Sequence, residues 1–464
     1  MKKKNKAIFL AIVFITMTLP MLGLIFNVKN KNVENRQLQE FPEYNLDFTK
    51  NFEGYWQEQF PFRNHFITAY NLVNQSLFNL SGNDKVVYGQ DGFLYLAETT
   101  KDYQNSIYFS QAELGKIESY FNLINERLKE NGIDLHVMVV PNKNTIYPEY
   151  MPDNIKKITD NDNLDNFYKI DFPFNNINLK EKLLAEKKEQ DDFIYHKEDS
   201  HYNNLGAAFT HSLILEELGL KAETLLDKDY KLNKDFQGDL TTILYPASEK
   251  LDYNMDFDLQ TDYIFARPLG SFDDLQIETI SKSENPSLYM IRDSFARALI
   301  PMLSNDFSKV TYSRVIPYYI EEVIKAKPAN LLIEIAERNM YHWLKTTPIM
   351  EMKPIDISFD GEAKKGEDLL VRYSNKEKHK LHHLNIKVEN QSLAKAMEEV
   401  FLIDGNGDIY PAFPVYERKD LDKIDITYGF SLYTGGKINL DQAKIIYKID
   451  DKYLESNIIK MEED

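Results

Sequence analysis

The chain has 464 residues, 43% apolar and 13% aromatic, which is enough for a packed body and too much for one small core. A net charge of −18 and a pI near 5.1 disfavour binding nucleic acid through a general electrostatic footprint. No cysteine is present, which excludes disulfides, cysteine-ligated zinc and a thiolate nucleophile together.

At the N-terminus, "MKKKNK" places four lysines ahead of "AIFLAIVFITMTLPMLGLIF". About twenty residues without a charge suffice to cross a hydrocarbon core. Positive charge before the span keeps the N-terminus inside and sends the remainder outward. Residues 1–28 are therefore a single-pass anchor or a signal segment, and the exit "LIFNVKNKNVENR" lacks the small-residue pattern of a cleavage site. Pro20 is tolerable in a membrane helix. The expected location is the cell membrane, with the body extracytoplasmic.

Further along, "QAELGKIESYFNLINERLKENGIDLHVMVVPNK" carries Leu114, Ile117, Tyr120, Phe121, Ile124 and Leu128 at helical spacing. Asn131-Gly132 ends that helix, and "LHVMVV" follows as a buried strand of the parallel-sheet kind. The alternation continues. "LKEKLLAEKKEQ" predicts a helix, "DFIYHKEDSHYN" a strand, and "NNLGAAFTHSLILEELGL" a helix. "SLYMIRDS" and "FARALIPMLSNDF" predict strand and helix, "KVTYSRVI" a strand, "YYIEEVIKAKP" a helix and "NLLIEIAERN" a buried strand. Such a pattern predicts an α/β layer fold with ligands at the carboxyl ends of its strands. After Trp343 the texture changes to short alternating runs separated by "DGNGD" and "TGG", which predict a small β-sandwich over residues 351–464. The α/β domain then occupies residues 29–350.

Ser294 falls where a strand gives way to a helix, the place of a presented nucleophile or of an ordinary N-cap. A serine needs a base, and nine histidines are available. In "YHKEDSHYNNLGAA", Asp199-Ser200-His201 reads as following a strand and preceding a helix, which would put it on the same rim of the sheet as Ser294. An Asp two residues before a His can reach its Nδ1 and leave Nε2 outward as general base. The plainer alternative makes Asp199 or Ser200 a cap for the helix near Asn204. Asp293 reads either as a cap or as polar support.

"DSHYNNLGA" and "RDSF" resemble the Asp-x-His and Gly-Asp-Ser-Phe blocks of the SGNH-hydrolase-like domain in the AlgX/AlgJ family. That family comprises exopolysaccharide O-acetyltransferases together with the DHHW proteins of Gram-positive bacteria. "ENRQLQEFPE", "FEGYWQEQFPFRN", "VVYGQDGFLYL", "VVPNKNTIYPEYMP" and "LLIEIAERNM" resemble further blocks of the family in the same order. The resemblance implies a flavodoxin-like parallel sheet with a circularly permuted motif order, Asp-x-His before the serine. It implies Ser294 as nucleophile, His201 as base and Asp199 as its orienter. It implies an acetyl-serine intermediate and transfer to a polysaccharide, with no metal or cofactor. The acetyl group would come from a membrane-bound O-acyltransferase partner or a small acetyl ester. Two departures stand out: Arg292 occupies the glycine position, and position 202 is Tyr rather than Trp.

For the oxyanion, the Ser294 N–H is one candidate donor. SGNH enzymes take others from the ends of the next two strands, where this chain has Arg314 at one and Arg338 and Asn339 at the other. Structural ion pairing is the competing role for each arginine. An acetylesterase or a non-catalytic polysaccharide-binding protein are the alternative readings of the whole. Lesser signals are plainer. The histidines of "HKLHHL" sit in a predicted strand without the carboxylates of a metal site, and "DGNGD" reads as a hairpin turn. Tyr55 and Trp56 read as a helix packing onto the core. The tyrosines of "PYY" suit either the core or the face of a sugar.

Overall fold

The computed structural model describes residues 3–26, 28–30, 32, 38–78, 80–220, 225–359, 361–418 and 426–461. The family-like block "ENRQLQEFPE" lies partly outside them. Helix α1 (Lys3–Ile25) holds the apolar run, and its Asn5–Ile25 stretch, at mean hydropathy 2.5, is long and apolar enough to cross a membrane. Helices α2 (Phe48–Gln59) and α3 (Arg63–Phe78) follow. Tyr55 and Trp56 were expected against the core, yet no residue of α2 is buried. Its rings stack on one another instead.

Strands β1 (Val86–Tyr88) and β2 (Leu94–Leu96) form a hairpin. The helix Gln111–Lys129 starts at a capping box in which Ser110 and Glu113 satisfy each other's backbone N–H. It ends before Gly132, whose φ of +69° suits glycine. Its apolar stripe buries Ile117, Phe121, Ile124 and Leu128 completely, each contributing about 1.5–3 kcal/mol by area removed from water. Strand β3 (Asp134–Val140) is buried from its second residue on, as expected for the centre of a parallel sheet.

Around it lie β4 (Asn175–Ile177), then a separate two-stranded ribbon of β5 (Lys231–Phe236) and β6 (Asp252–Asp256). The remaining sheet strands are β7 (Tyr263–Phe265), β8 (Gln276–Ser281), β9 (Leu288–Ile291), β10 (Lys309–Ser313) and β11 (Asn330–Ala336). The sheet order is β4-β3-β11-β9-β10-β8-β7. The first five strands are parallel, and β8 and β7 close one edge antiparallel. The α/β expectation holds. The carboxyl ends of β3, β9 and β11 lie side by side, so Val140, Ile291 and Ala336 open onto one rim.

The C-terminal region departs from the predicted sandwich. Short β12 (Lys364–Lys365) leads to β13 (Leu369–Lys378), β14 (Leu381–Val388), β15 (Glu399–Ile403), β16 (Ile409–Arg418), β17 (Ile426–Thr434), β18 (Lys444–Ile449) and β19 (Lys452–Lys460). Pairing runs β13-β14-β17-β16-β15-β18-β19, and β19 returns to pair parallel with β13. The sheet therefore closes into a barrel. Closure depends on β19, whose burial scarcely alternates, and local pattern does not announce it. The barrel and the α/β domain share one core. Phe413 meets Tyr120 edge-on at 5.5 Å, and buried Lys116 donates to the Ala394 carbonyl at 3.2 Å.

Candidate active site

Ser294 follows β9 and opens a short 3-10 helix, Phe295–Arg297. Its side chain makes no capping bond there. The cap is Asp293, whose Oδ1 accepts the Phe295 N–H at 2.9 Å. Asp293 Oδ2 accepts the Ala336 N–H at 2.7 Å and the Asn339 amide at 3.4 Å, tying the turn to the end of β11. The Asp293 N–H in turn donates to Glu334 at 2.8 Å. Burial, with Asp293 beside it, pushes the Glu334 carboxyl well up. Both readings of Asp293 are thus realised at once. The serine Oγ is left free to face the rim.

His201 approaches from the other side. Its Nε2 lies 2.7 Å from Ser294 Oγ, and its Nδ1 lies 2.7 Å from Asp199 Oδ1. Asp199 also accepts the His201 N–H at 2.8 Å and, on Oδ2, the Asp239 N–H at 2.7 Å. Burial opposes a charge on Asp199, but His201 and these donors hold its carboxyl far below the usual range. A carboxylate on Nδ1 fixes the proton there and leaves Nε2 with a lone pair toward the serine. The ring is only 16% exposed at its side chain, with Phe295 set edge-on at 4.6 Å.

The stretch leading to these residues was expected to be a strand. It is not. Residues 191–203 make a single bridge, Tyr195 to Tyr202, and reach the rim as a loop between the helices Leu179–Glu189 and Asn204–Glu217. The apolar "FIY" that suggested a strand packs against Phe93, Tyr147 and Phe295 rather than along a neighbouring strand. The helix cap is neither Asp199 nor Ser200 but Asn203, which accepts from Leu205 and Gly206. Gly206 is required by a close approach: a Cβ would run into the Ile194 carbonyl.

What pins the loop is Lys143, from the "PNK" after β3. Its ammonium is buried and donates to the carbonyls of His196 at 3.1 Å, Lys197 at 3.0 Å and Asp199 at 2.6 Å. Tyr95 and Phe93 close the cage with ring centres at 5.3 and 5.8 Å. Burial draws its pKa down to about 8. Asp239 is the second residue that sequence reasoning missed. It accepts Ser200 Oγ at 2.6 Å and the Ser200 N–H at 2.8 Å, and burial with Asp199 nearby raises its carboxyl. The sequence signals for Lys143 were its place three positions past a buried strand and within the block "VVPNKNTIYPEYMP". Donor atoms of Asp199, His201 and Asp239 lie within 4.8 Å of one another, but the hydrogen bonds above already occupy the Asp199 oxygens.

The oxyanion candidates separate. Arg314 is engaged with Asp273, at 2.6 Å to its carboxylate and 3.2 Å to its carbonyl, with Arg297 on the same carboxylate. Arg338 pairs with Glu98 at 3.2 Å and lies over the Phe295 ring at 5.4 Å. Asn339 is held by Asp293. The Ser294 N–H has no hydrogen-bond partner among the described residues. Arg292 is taken up by backbone: its guanidinium donates to the carbonyls of Phe272 at 2.5 Å, Asp274 at 3.2 Å and Asp293 at 3.2 Å. Its side chain therefore braces the 272–274 loop. Of the lesser histidines, His383 stacks on Tyr433 and bonds Ser431 within the barrel.

Residues 86–281 match the family model described as ALGX: SGNH hydrolase-like domain, acetyltransferase AlgX. That span contains Asp199 and His201 and stops short of Ser294. No curated protein matches the chain in sequence. Among solved structures it is similar to a DHHW family protein from Eubacterium siraeum, at 16% identity over 55% of this chain and 94% of that one, TM-score 0.41. Bacillus cereus PatB1 is similar at 17% identity over 55% and 97%, TM-score 0.42. Pseudomonas aeruginosa AlgX is similar at 17% identity over 78% and 94%, TM-score 0.36.

Proposed function

We propose that the chain is an extracytoplasmic O-acetyltransferase that acylates a cell-surface or secreted polysaccharide through Ser294, His201 and Asp199. One observation carries the reading: the in-line contacts from Ser294 Oγ to His201 Nε2 to Asp199, each 2.7 Å. A base at that distance can take the serine proton as Oγ attacks an acetyl carbonyl. The imidazolium then sits against the buried Asp199 carboxylate, and the tetrahedral oxygen falls to the unpartnered Ser294 N–H. Collapse returns the proton to the departing donor oxygen and leaves acetyl on Oγ. A sugar hydroxyl next gives its proton to His201 and attacks the acyl carbon, which restores Oγ–H. Asp199 and His201 precede Ser294 in the chain, in keeping with the permuted SGNH order.

In this reading α1 is the anchor, and the acetyl donor is a membrane-bound acyltransferase or a small ester. The barrel is the module that meets the polymer. The test incubates full-length protein in detergent with a chromogenic acetyl ester, with and without oligosaccharide, beside Ser294→Ala. Ser294-dependent acetyl release with transfer to sugar is expected. Release to water alone would make the chain an acetylesterase, and no Ser294-dependent release would sink both.

A further inference from the structure

The aromatic residues ahead of the α/β body form a stripe that stays out of the core, with Tyr44 exposed and Phe48, Phe52, Trp56 and Phe60 half-buried. Tyr44, Phe48, Phe52, Trp56 and Phe60 recur every fourth residue and so share one face of α2 and its flanks. Their rings run in file with centroids 4.6, 5.6, 6.2 and 6.1 Å apart. Phe41 sets its edge against Tyr44, Phe48 and Phe52. Phe41 and Tyr44 are 54% and 84% exposed, and Leu77, Phe78 and Leu80 leave more apolar surface open at the end of α3. The opposite side of α2 carries Lys50, Glu53 and Gln57 in solvent. An aromatic face backed by a polar one is the composition of a helix lying in a membrane interface.

Packing sets the depth of this surface. Pro20 and Gly23 are buried in the last turns of α1. A Cβ on Gly23 would collide with Pro61 and crowd Phe62, the junction of α2 and α3. Just past the span, Asn30 donates to the Phe60 carbonyl at 2.8 Å. By helical rise, Gly23 lies about 3 Å and Pro20 about 7.5 Å inside the Ile25 end of α1. A span seated across the hydrocarbon must carry the junction down with it, to the level where Trp and Tyr rings are favoured.

We propose that α2, with Phe41, Tyr44 and the Pro61–Phe62 junction, is an interfacial helix that docks the body onto the outer lipid headgroup layer beside the span. This rests on the anchored reading of α1 given above. The body is then held against the bilayer instead of swinging on a tether.

Tryptophan fluorescence tests this directly. The chain has two tryptophans, and Trp343 is buried at 1% exposure. Trp56 therefore reports on the surface. Full-length protein is reconstituted into phosphatidylcholine vesicles containing some phosphatidylglycerol, with part of the phosphatidylcholine brominated near the headgroup end of its chains. A lipid-dependent loss of emission is expected, together with protection from aqueous iodide, and Trp56→Phe should abolish both. If Trp56 stays open to iodide and blind to bromine while the chain resists carbonate extraction, the docking is overturned and the anchor stands. If carbonate releases the chain, the anchor fails and the docking fails with it.

Discussion

Replacing Asp199 by Asn tests the geometry of the site with little change in shape. The carboxylate accepts three N–H donors: His201 Nδ1, the His201 backbone and the Asp239 backbone. An amide has one accepting oxygen, so at least one of these donors loses its partner or His201 turns. The larger effect is electrostatic. At an effective dielectric of about 20, a unit charge pair at the observed 2.7 Å is worth about 6 kcal/mol. Part of that is already present in the ground state as an N–H···O bond, so about half, roughly 3 kcal/mol, is lost from the transition state. That corresponds to about a 10²-fold fall in kcat. Acetyl release by Asp199→Asn should be measured beside the parent, with thermal unfolding as a folding control. A folded variant within about threefold of the parent, well under 1 kcal/mol, would refute the claim that Asp199 orients and charges the base.

Three further outcomes are expected. Lys143→Met strips the donor from three loop carbonyls, at about 1–3 kcal/mol for each one left bare, offset by removing a buried charge. A net loss of about 2 kcal/mol in unfolding and about tenfold in kcat should follow, the second because the Asp199 loop loosens. Arg292→Gly, which restores the family-like residue, should cost about 2–3 kcal/mol of stability as the 272–274 loop loses its brace. Ester kcat should barely move, and a collapse of kcat in the folded variant would show that the guanidinium acts at the rim. Burial raises the Glu337 carboxyl from 4.5 to about 8, so the folded state binds more protons than the unfolded one across that window. Stability from this group is therefore present at low pH and lost as pH rises through the window. Glu337→Gln keeps an oxygen for the Asn142 N–H and Thr145 Oγ, and should raise Tm near pH 8 while changing little near pH 5. A lower Tm at both would contradict the assignment.

Where neighbouring residues decide the outcome, sequence reasoning was sufficient. The helix Gln111–Lys129 announces itself by spacing and by the Asn131-Gly132 stop, and β3 and β11 by largely apolar runs. Ser294 and His201 were legible as a pair, although the path of the second to the rim was not. "FIY" has the texture of a strand, but its outer rings are covered by rings from the turn before β2, from the 3-10 turn and from the segment after β3, which no local pattern encodes. Lys143 escaped notice for the same reason, since its three acceptors lie more than fifty positions away. Trp56 and its neighbours misled through an ordinary preference of aromatic rings for interiors, which other rings can satisfy as well.

The closed barrel has a consequence for how the chain matures. Strand β13 is made early in the C-terminal region, yet one of its two neighbours is β19, some eighty residues later. Until that final pairing forms, β13 and β18 each present a bare ladder, the kind of edge that recruits other unfinished chains. Emergence in N-to-C order lets the α/β body settle first, because β3 to β11 need nothing from the barrel's strands to pair. Loss of β19 by premature termination or clipping should then give chains with an intact Ser294 site that aggregate rather than merely work poorly.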